Sequence, residues 1–216
     1  MTRRIAVVTA GLSQPSSTRL LADRISDAVG TAVTARGEAA DIDAIELRDL
    51  ATDLATAMTV GGLPTPALVQ ARERLSSADG LIAVTPVFTG SYSGLFKMFF
   101  DAVDTDALGG MPTIVAATGG SSRHSLVLDH AMRPLFAFLR AVVVPTGVYA
   151  ATEDFGGSAL GGRIRRAADE LAALVVAAPA GVGGFAPTAT DSPRTSGLAL
   201  RTTVTPFQEL LRGHTG

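Results

Sequence analysis

Gly80-Leu-Ile-Ala-Val-Thr-Pro-Val-Phe-Thr-Gly-Ser-Tyr-Ser-Gly94 is the stretch that decides the fold. Its first five residues form an apolar run without polar alternation. Such a run suits a strand covered on both faces of a sheet. The rest is built from Pro, Gly, Ser and Thr, which favour turns. Apolar residues then recur at helical spacing over 95–103, with Leu95, Phe96, Phe99 and Phe100. The unit is therefore strand, loop, helix. Its loop leaves the carboxyl end of the strand, the edge at which open parallel sheets bind ligands.

Working outward, the same unit recurs. Ala10-Gly-Leu-Ser-Gln-Pro-Ser-Ser-Thr18 follows a first apolar strand, and Ala117-Thr-Gly-Gly-Ser-Ser122 follows a fourth. The pattern predicts strands at 5–9, 42–47, 80–85, 113–118 and 141–148. It predicts helices at 18–35, 66–78, 94–103, 125–140 and 160–178. Pro134 inside the fourth helix should kink or divide it. The long connection 48–65 holds Gly61-Gly62 and has room for a short helix at 50–58. Strands alternating with helices imply βαβ units and a parallel sheet. Five of each predict an α/β three-layer sandwich whose five-stranded parallel sheet runs in the order 2-1-3-4-5, the flavodoxin-like arrangement. Residues 1–178 would form this domain. Residues 179–216 are rich in Gly, Pro, Ser and Thr, a composition compatible with partial disorder or with packing on a partner subunit.

A chain of 216 residues, 47% hydrophobic, can bury a sizeable core. The net charge of −2, from 18 basic and 20 acidic residues, argues against binding nucleic acid by phosphate neutralisation. There is no cysteine, so thiol catalysis and thiolate metal sites are excluded. The three histidines show no metal-ligand spacing, and no metal site is expected. No apolar segment is long enough to span a bilayer, and the start lacks a signal-peptide pattern, so a soluble, cytoplasmic protein is expected.

The first loop lacks both GxGxxG and GxxxxGK[ST], and is neither a dinucleotide fingerprint nor an ATP P-loop. It brings Ser13, Ser16, Ser17 and Thr18 to the start of a helix. One hydroxyl suffices to cap a helix. Four within six residues, beside free N–H groups in the field of the helix dipole, predict a phosphate site. In the second and third loops Gly90, Gly94, Gly119 and Gly120 allow backbone to approach the edge of a flat polar ring. Phe88 and Tyr92 are the aromatics that could meet a ring face. Phosphate at one loop and a flat heteroaromatic ring at the others describe FMN. With no tryptophan and 5% aromatic residues, the ring would be covered on one face only and be free to exchange.

At these residues the chain resembles the NAD(P)H-dependent FMN reductases of flavodoxin-like fold, which supply reduced flavin to two-component monooxygenases. The resemblance runs over residues 3–178. It is carried by Gly11-Leu-Ser-Gln-Pro-Ser-Ser-Thr18, by Thr85-Pro-Val-Phe-Thr-Gly-Ser-Tyr-Ser-Gly-Leu-Phe-Lys97 and on to Asp101, and by Ala117-Thr-Gly-Gly-Ser-Ser-Arg-His124. It implies FMN-phosphate contacts from Ser13, Ser16, Ser17 and Thr18, with Gln14 standing where many members carry a basic residue. It implies ring contacts from Pro86, Val87, Phe88, Thr89, Gly90 and Ser91. Thr118, Gly119, Gly120 and Ser121 would serve the pyrimidine side, and His124 would approach the ring or the nicotinamide. The implied reaction passes hydride from NADH or NADPH to flavin N5, with no obligatory acid–base side chain, for use by a flavin-dependent monooxygenase. Two other readings stay open: a quinone or azo reductase with tightly held FMN, and an electron carrier without turnover. Arg19 and Arg123 lie where an NADPH 2′-phosphate could be met. Lys97, the only lysine, should pair with Asp101 one helical turn away. The third helix is apolar nearly all round, which predicts a homodimer or homotetramer with flavin sites near the interface.

Overall fold

The computed structural model describes residues 1–59 and 63–177. The predicted tail at 179–216 and Gly61-Gly62 lie outside the described residues. Strands β1 (Thr2–Thr9), β2 (Ala39–Glu46), β3 (Gly80–Phe88) and β5 (Pro112–Gly119) match the apolar runs. Helices α1 (Ser17–Thr34), α2 (Ala51–Thr59), α3 (Pro66–Ser76), α4 (Gly94–Asp101) and α6 (Ser158–Val176) follow the helical periodicities. The sheet runs β2-β1-β3-β5-β6, with β6 at Val142–Val143, and every pairing along this path is parallel. This is the expected flavodoxin-like order.

Alternation along the strands sorts the core into two layers. Ile5 and Val7 of β1 face α1 and α6, where Leu21, Ile25, Val29, Ile164 and Leu171 are buried. Ala6 and Val8 face the opposite layer, which holds Phe96, Phe99, Phe100 and Phe136. The phenylalanines meet edge-on or tilted: Phe96 and Phe100 lie 4.7 Å apart between centroids, and Phe100 and Phe136 5.0 Å. Each such side chain contributes roughly 1.5–3 kcal/mol on burial. The cluster lies in the layer to which α4 belongs, immediately after the second loop.

Two departures from the sequence reading matter for the site. The segment 85–94 is not an open loop. Residues Ser91–Tyr92 form strand β4, antiparallel to the end of β3, with Val87 opposite Tyr92 and Phe88 opposite Ser91. Thr89 and Gly90 both take positive φ, 50° and 80°, as a two-residue hairpin turn of the I′ kind requires. The second departure is in the fifth strand, predicted as continuous over 141–148. It is divided into β6 and β7 (Val148–Ala151), both parallel to β5. Thr113 pairs Val143 and Ala116 pairs Val148, so the fifth segment carries two more residues than β5 across the gap. Pro145 has no N–H to give a ladder, and the chain leaves the sheet there. Arg133 donates to Val144 O at 3.0 Å and Pro145 O at 2.6 Å. Glu170 accepts from the N–H and the hydroxyl of Thr146 at 2.8 and 2.7 Å. The excursion is thus satisfied by side chains. The predicted helix 125–140 is divided, as Pro134 implied, into a π-helical turn (Leu128–Met132) and α5 (Arg133–Phe138), with the proline in the first turn of α5.

Candidate functional site

The three loops converge at the carboxyl edge of the sheet. Loop 10–16 leads into α1, whose N-cap is Ser16; the Ser16 hydroxyl accepts from Arg19 N at 3.2 Å. Gly11 is required there, because a Cβ would stand 2.2 Å from Ser16 Oγ. The N–H groups of Ser17 and Thr18, in the first helical turn, have no intrahelical carbonyl to meet. No acidic residue lies in that turn. The helix end therefore presents free donors and a positive field. Thr18 is buried, and its hydroxyl lies 2.8 Å from that of Thr118. This bond ties the first loop to the third.

The hairpin of the second loop is clamped at its base. Thr85 Oγ1 accepts from Ser93 N at 3.0 Å and donates to Pro86 O at 2.9 Å, while Ser93 caps α4 through Phe96 N. Tyr92 turns toward the core layer, its ring centroid 5.8 Å from that of Phe96. Phe88 stays 47% exposed.

The third loop is held from beneath by β7. Tyr149 OH donates to Ser121 O at 2.6 Å. A Cβ on Gly119 would lie 2.1 Å from the same hydroxyl, so glycine lets the ring slide under the loop. Burial, helped by the negative charges of Asp154 and Glu153, pushes the Tyr149 phenol above its ordinary value.

Between the loops lies a cavity of about 330 Å³. From the first loop it is lined by Ser13, Ser16, Ser17 and Thr18, from the second by Pro86, Val87 and Phe88, and from the third by Thr118, Gly119 and Gly120. All ten were singled out in the sequence. Leu12 and Thr152 complete the lining. Thr152 directly follows β7, and only a strand ending at Ala151 would have pointed to it. The structure does not bring the other six to the wall of this cavity. Thr89 and Gly90 form the exposed hairpin tip, Ser91 begins β4, and Ser121 and His124 lie outside the lining. Gln14 lies outside this lining, its side-chain amide beside Arg48. Arg19 is engaged by Asp23 and Glu46, and Arg123 is exposed.

The donor set fits a flavin mononucleotide. Hydroxyls and free N–H groups gather at one end, and glycine backbone with Pro86 and Phe88 at the other. A Cβ on Gly120 would meet no protein atom within 4 Å, so packing does not demand glycine there and the backbone is left open to a ligand. Among the described residues no cluster of His, Asp and Glu is arranged to hold a metal.

Residues 3–156 match the family model described as NADPH-dependent FMN reductase. An FMN reductase (NADPH) of Pseudomonas aeruginosa is 40% identical over 179 residues, covering 79% of this chain and 91% of that protein. An NADH-dependent FMN reductase of Pseudomonas fluorescens is 47% identical over 136 residues, 60% of this chain and 72% of its own length. The X-ray structure of an oxidoreductase from Corynebacterium diphtheriae superposes with a TM-score of 0.78 at 61% identity, covering 81% of this chain and 97% of that one. Fold and relatives together define a flavodoxin-like oxidoreductase. The chain belongs to the NADPH-dependent FMN reductase family, and its reaction is the NAD(P)H-dependent reduction of FMN.

Proposed function

We propose that the cavity between the three loops is where FMN is bound and reduced. The observation that carries this is the convergence itself: residues from all three loops line one space, with Thr18 and Thr118 bonded across it. Ser13, Ser17 and the first N–H groups of α1 hold the phosphate. Pro86 and Phe88 meet the ring, and the backbone of Gly119 and Gly120 meets its polar edge. Bound flavin supplies the chemistry, accepting at N5 the hydride that leaves nicotinamide C4. The protein's share is orientation, and no side-chain acid or base is needed.

Among the described residues Phe88 is the single aromatic in the lining, and it is half-exposed. A ring held on one face lacks the second stacking contact, worth about 0.5–1.5 kcal/mol in aromatic pairs. The reduced flavin therefore leaves, which suits a reductase that feeds a flavin-dependent monooxygenase better than a tight quinone or azo reductase. Among the described residues no helix is long and apolar enough to cross a membrane. A cytoplasmic homodimer or homotetramer completes the reading. Purified protein should oxidise NADH or NADPH, followed at 340 nm, only when FMN is added. Equal rates with and without added FMN in flavin-free protein would overturn the exchange.

A further inference from the structure

A second cavity, of about 380 Å³, lies on the other side of the first loop and shares Ser13 and Ser16 with the flavin cavity. It falls in the size range of ligand pockets. Its chemistry differs from that of its neighbour. Arg19, Arg48, Asp23, Glu46, Gln14 and Leu20 contribute to its wall.

Three of these charges already answer one another. Arg19 donates to Asp23 Oδ1 at 2.7 Å and to Glu46, and both bonds raise its pKa further. Arg48 is placed differently. With the Gln14 amide turned so that its oxygen faces the guanidinium, the orientation that satisfies both groups, that oxygen accepts from Arg48 Nη1 and Nη2 at 2.9 Å each and is a neutral acceptor. Its carboxylate neighbour is Asp49, at 3.5 Å and largely exposed. Arg48 therefore offers a steadied guanidinium whose charge is only weakly countered, suited to the bidentate grip of a phosphate. Asp23 and Glu46 are acceptors, and sugar hydroxyls are donors. Leu20, 44% exposed, supplies apolar surface for a flat base.

We propose that this second cavity is a subsite for the adenosine-phosphate half of a dinucleotide. The proposal rests on the assignment of FMN to the first cavity. A flavin phosphate held by Ser13 and Ser17 sits at the join between the two spaces. A second phosphate linked to it as an anhydride falls on the Arg48 side, with its ribose toward Glu46 and Asp23. The chemistry is shared by FAD and by the nicotinamide nucleotides, and the geometry at the join favours FAD.

The test is steady-state kinetics of wild type and Arg48→Ala with FMN, FAD and riboflavin, each against NADH and NADPH. Losing a charge-assisted bond should raise KM for FAD about tenfold or more, with KM for FMN and riboflavin changed less than twofold. The unchanged FMN value also reports that the variant is folded. If KM for NADH and NADPH rises by that factor instead, with the FAD to FMN ratio constant, the adenosine phosphate of the nicotinamide nucleotide occupies the subsite. Equal losses for FMN and FAD, or no change in any substrate, overturn the subsite alone. A wild type that binds no FMN, by quenching of flavin fluorescence, overturns the flavin assignment and this proposal with it.

Discussion

Four hydroxyls crowd the first loop, and the structure gives them different duties. Ser16 is committed to capping α1 and to packing on Gly11. Thr18 is buried against Thr118. Ser17 is exposed at the mouth of the cavity, where its hydroxyl can serve a phosphate without giving up a structural bond. Ser17→Ala should therefore weaken FMN binding by about tenfold or more, as expected for one hydrogen bond to a charged group at roughly 1.5–3 kcal/mol. Riboflavin, which lacks the phosphate, should bind both proteins alike. Fluorescence titration with the two flavins checks this, and an equal loss for both would show that Ser17 shapes the loop instead of holding phosphate. The sequence displayed the hydroxyl cluster but not this division of labour, because Thr18 meets a partner 100 positions away. Arg19 escaped for the same reason. As a residue it looked free for a 2′-phosphate, yet Glu46, at the end of β2, had already claimed it.

At the scale of elements, continuous apolar runs made β1, β3 and β5 legible, and 3.6-residue periodicity did the same for the helices. The fifth strand reads as continuous because Ala141 to Val144 and Val148 give it aliphatic residues at both ends. Hydrophobicity alone does not show that Pro145 halts the ladder or that Arg133 and Glu170 satisfy the excursion. The consequence reaches the site. Beyond the excursion, β7 carries Tyr149 beneath the third loop, and that support was invisible in a reading that ended the strand at Val148. Tyr149→Phe should cost about 1 kcal/mol, the usual worth of one hydrogen bond. It should also change the alkaline limb of stability. The phenol titrates higher in the folded chain than in the unfolded one, where its pKa is about 10. The folded state thus retains the proton longer, and this contribution is whole below about pH 10 and lost as pH rises through the folded value. Denaturant midpoints between pH 8 and 11 should fall more steeply for wild type than for the variant. Parallel curves would assign Tyr149 no role in linkage.

At the scale of the molecule, the sheet order sets which loops meet. With β1, β3 and β5 side by side, three loops far apart in sequence fall on one edge, as the order 2-1-3-4-5 implied. The outer surface was less legible. The third predicted helix, now α4, buries Phe96, Phe99 and Phe100 but leaves Leu95 and Met98 half-covered, beside the Lys97–Asp101 ion pair. Phe138 is 73% exposed, and Val142, on the short edge strand β6, 45%. These uncovered apolar side chains are the surface on which the proposed association would draw. Light scattering on the purified full chain should give a dimer or tetramer at micromolar concentration. A monomer would mean that these residues face solvent in the working enzyme.

The contact between Thr18 and Thr118 carries a consequence of its own. Each hydroxyl owns one proton, and one of the two is consumed in the bond between them. A single proton remains for whatever enters the cavity, and the bond can run in either direction. With FMN placed as proposed, a bond from Thr118 to Thr18 leaves the spare proton at the phosphate end, and the reverse direction leaves it at the ring end. Turning two hydroxyl rotors, with no movement of the backbone, reassigns the donor. On the proposed placement of FMN, the pair holds one donor that can serve either end of the ligand while the hydroxyls stay bonded to each other.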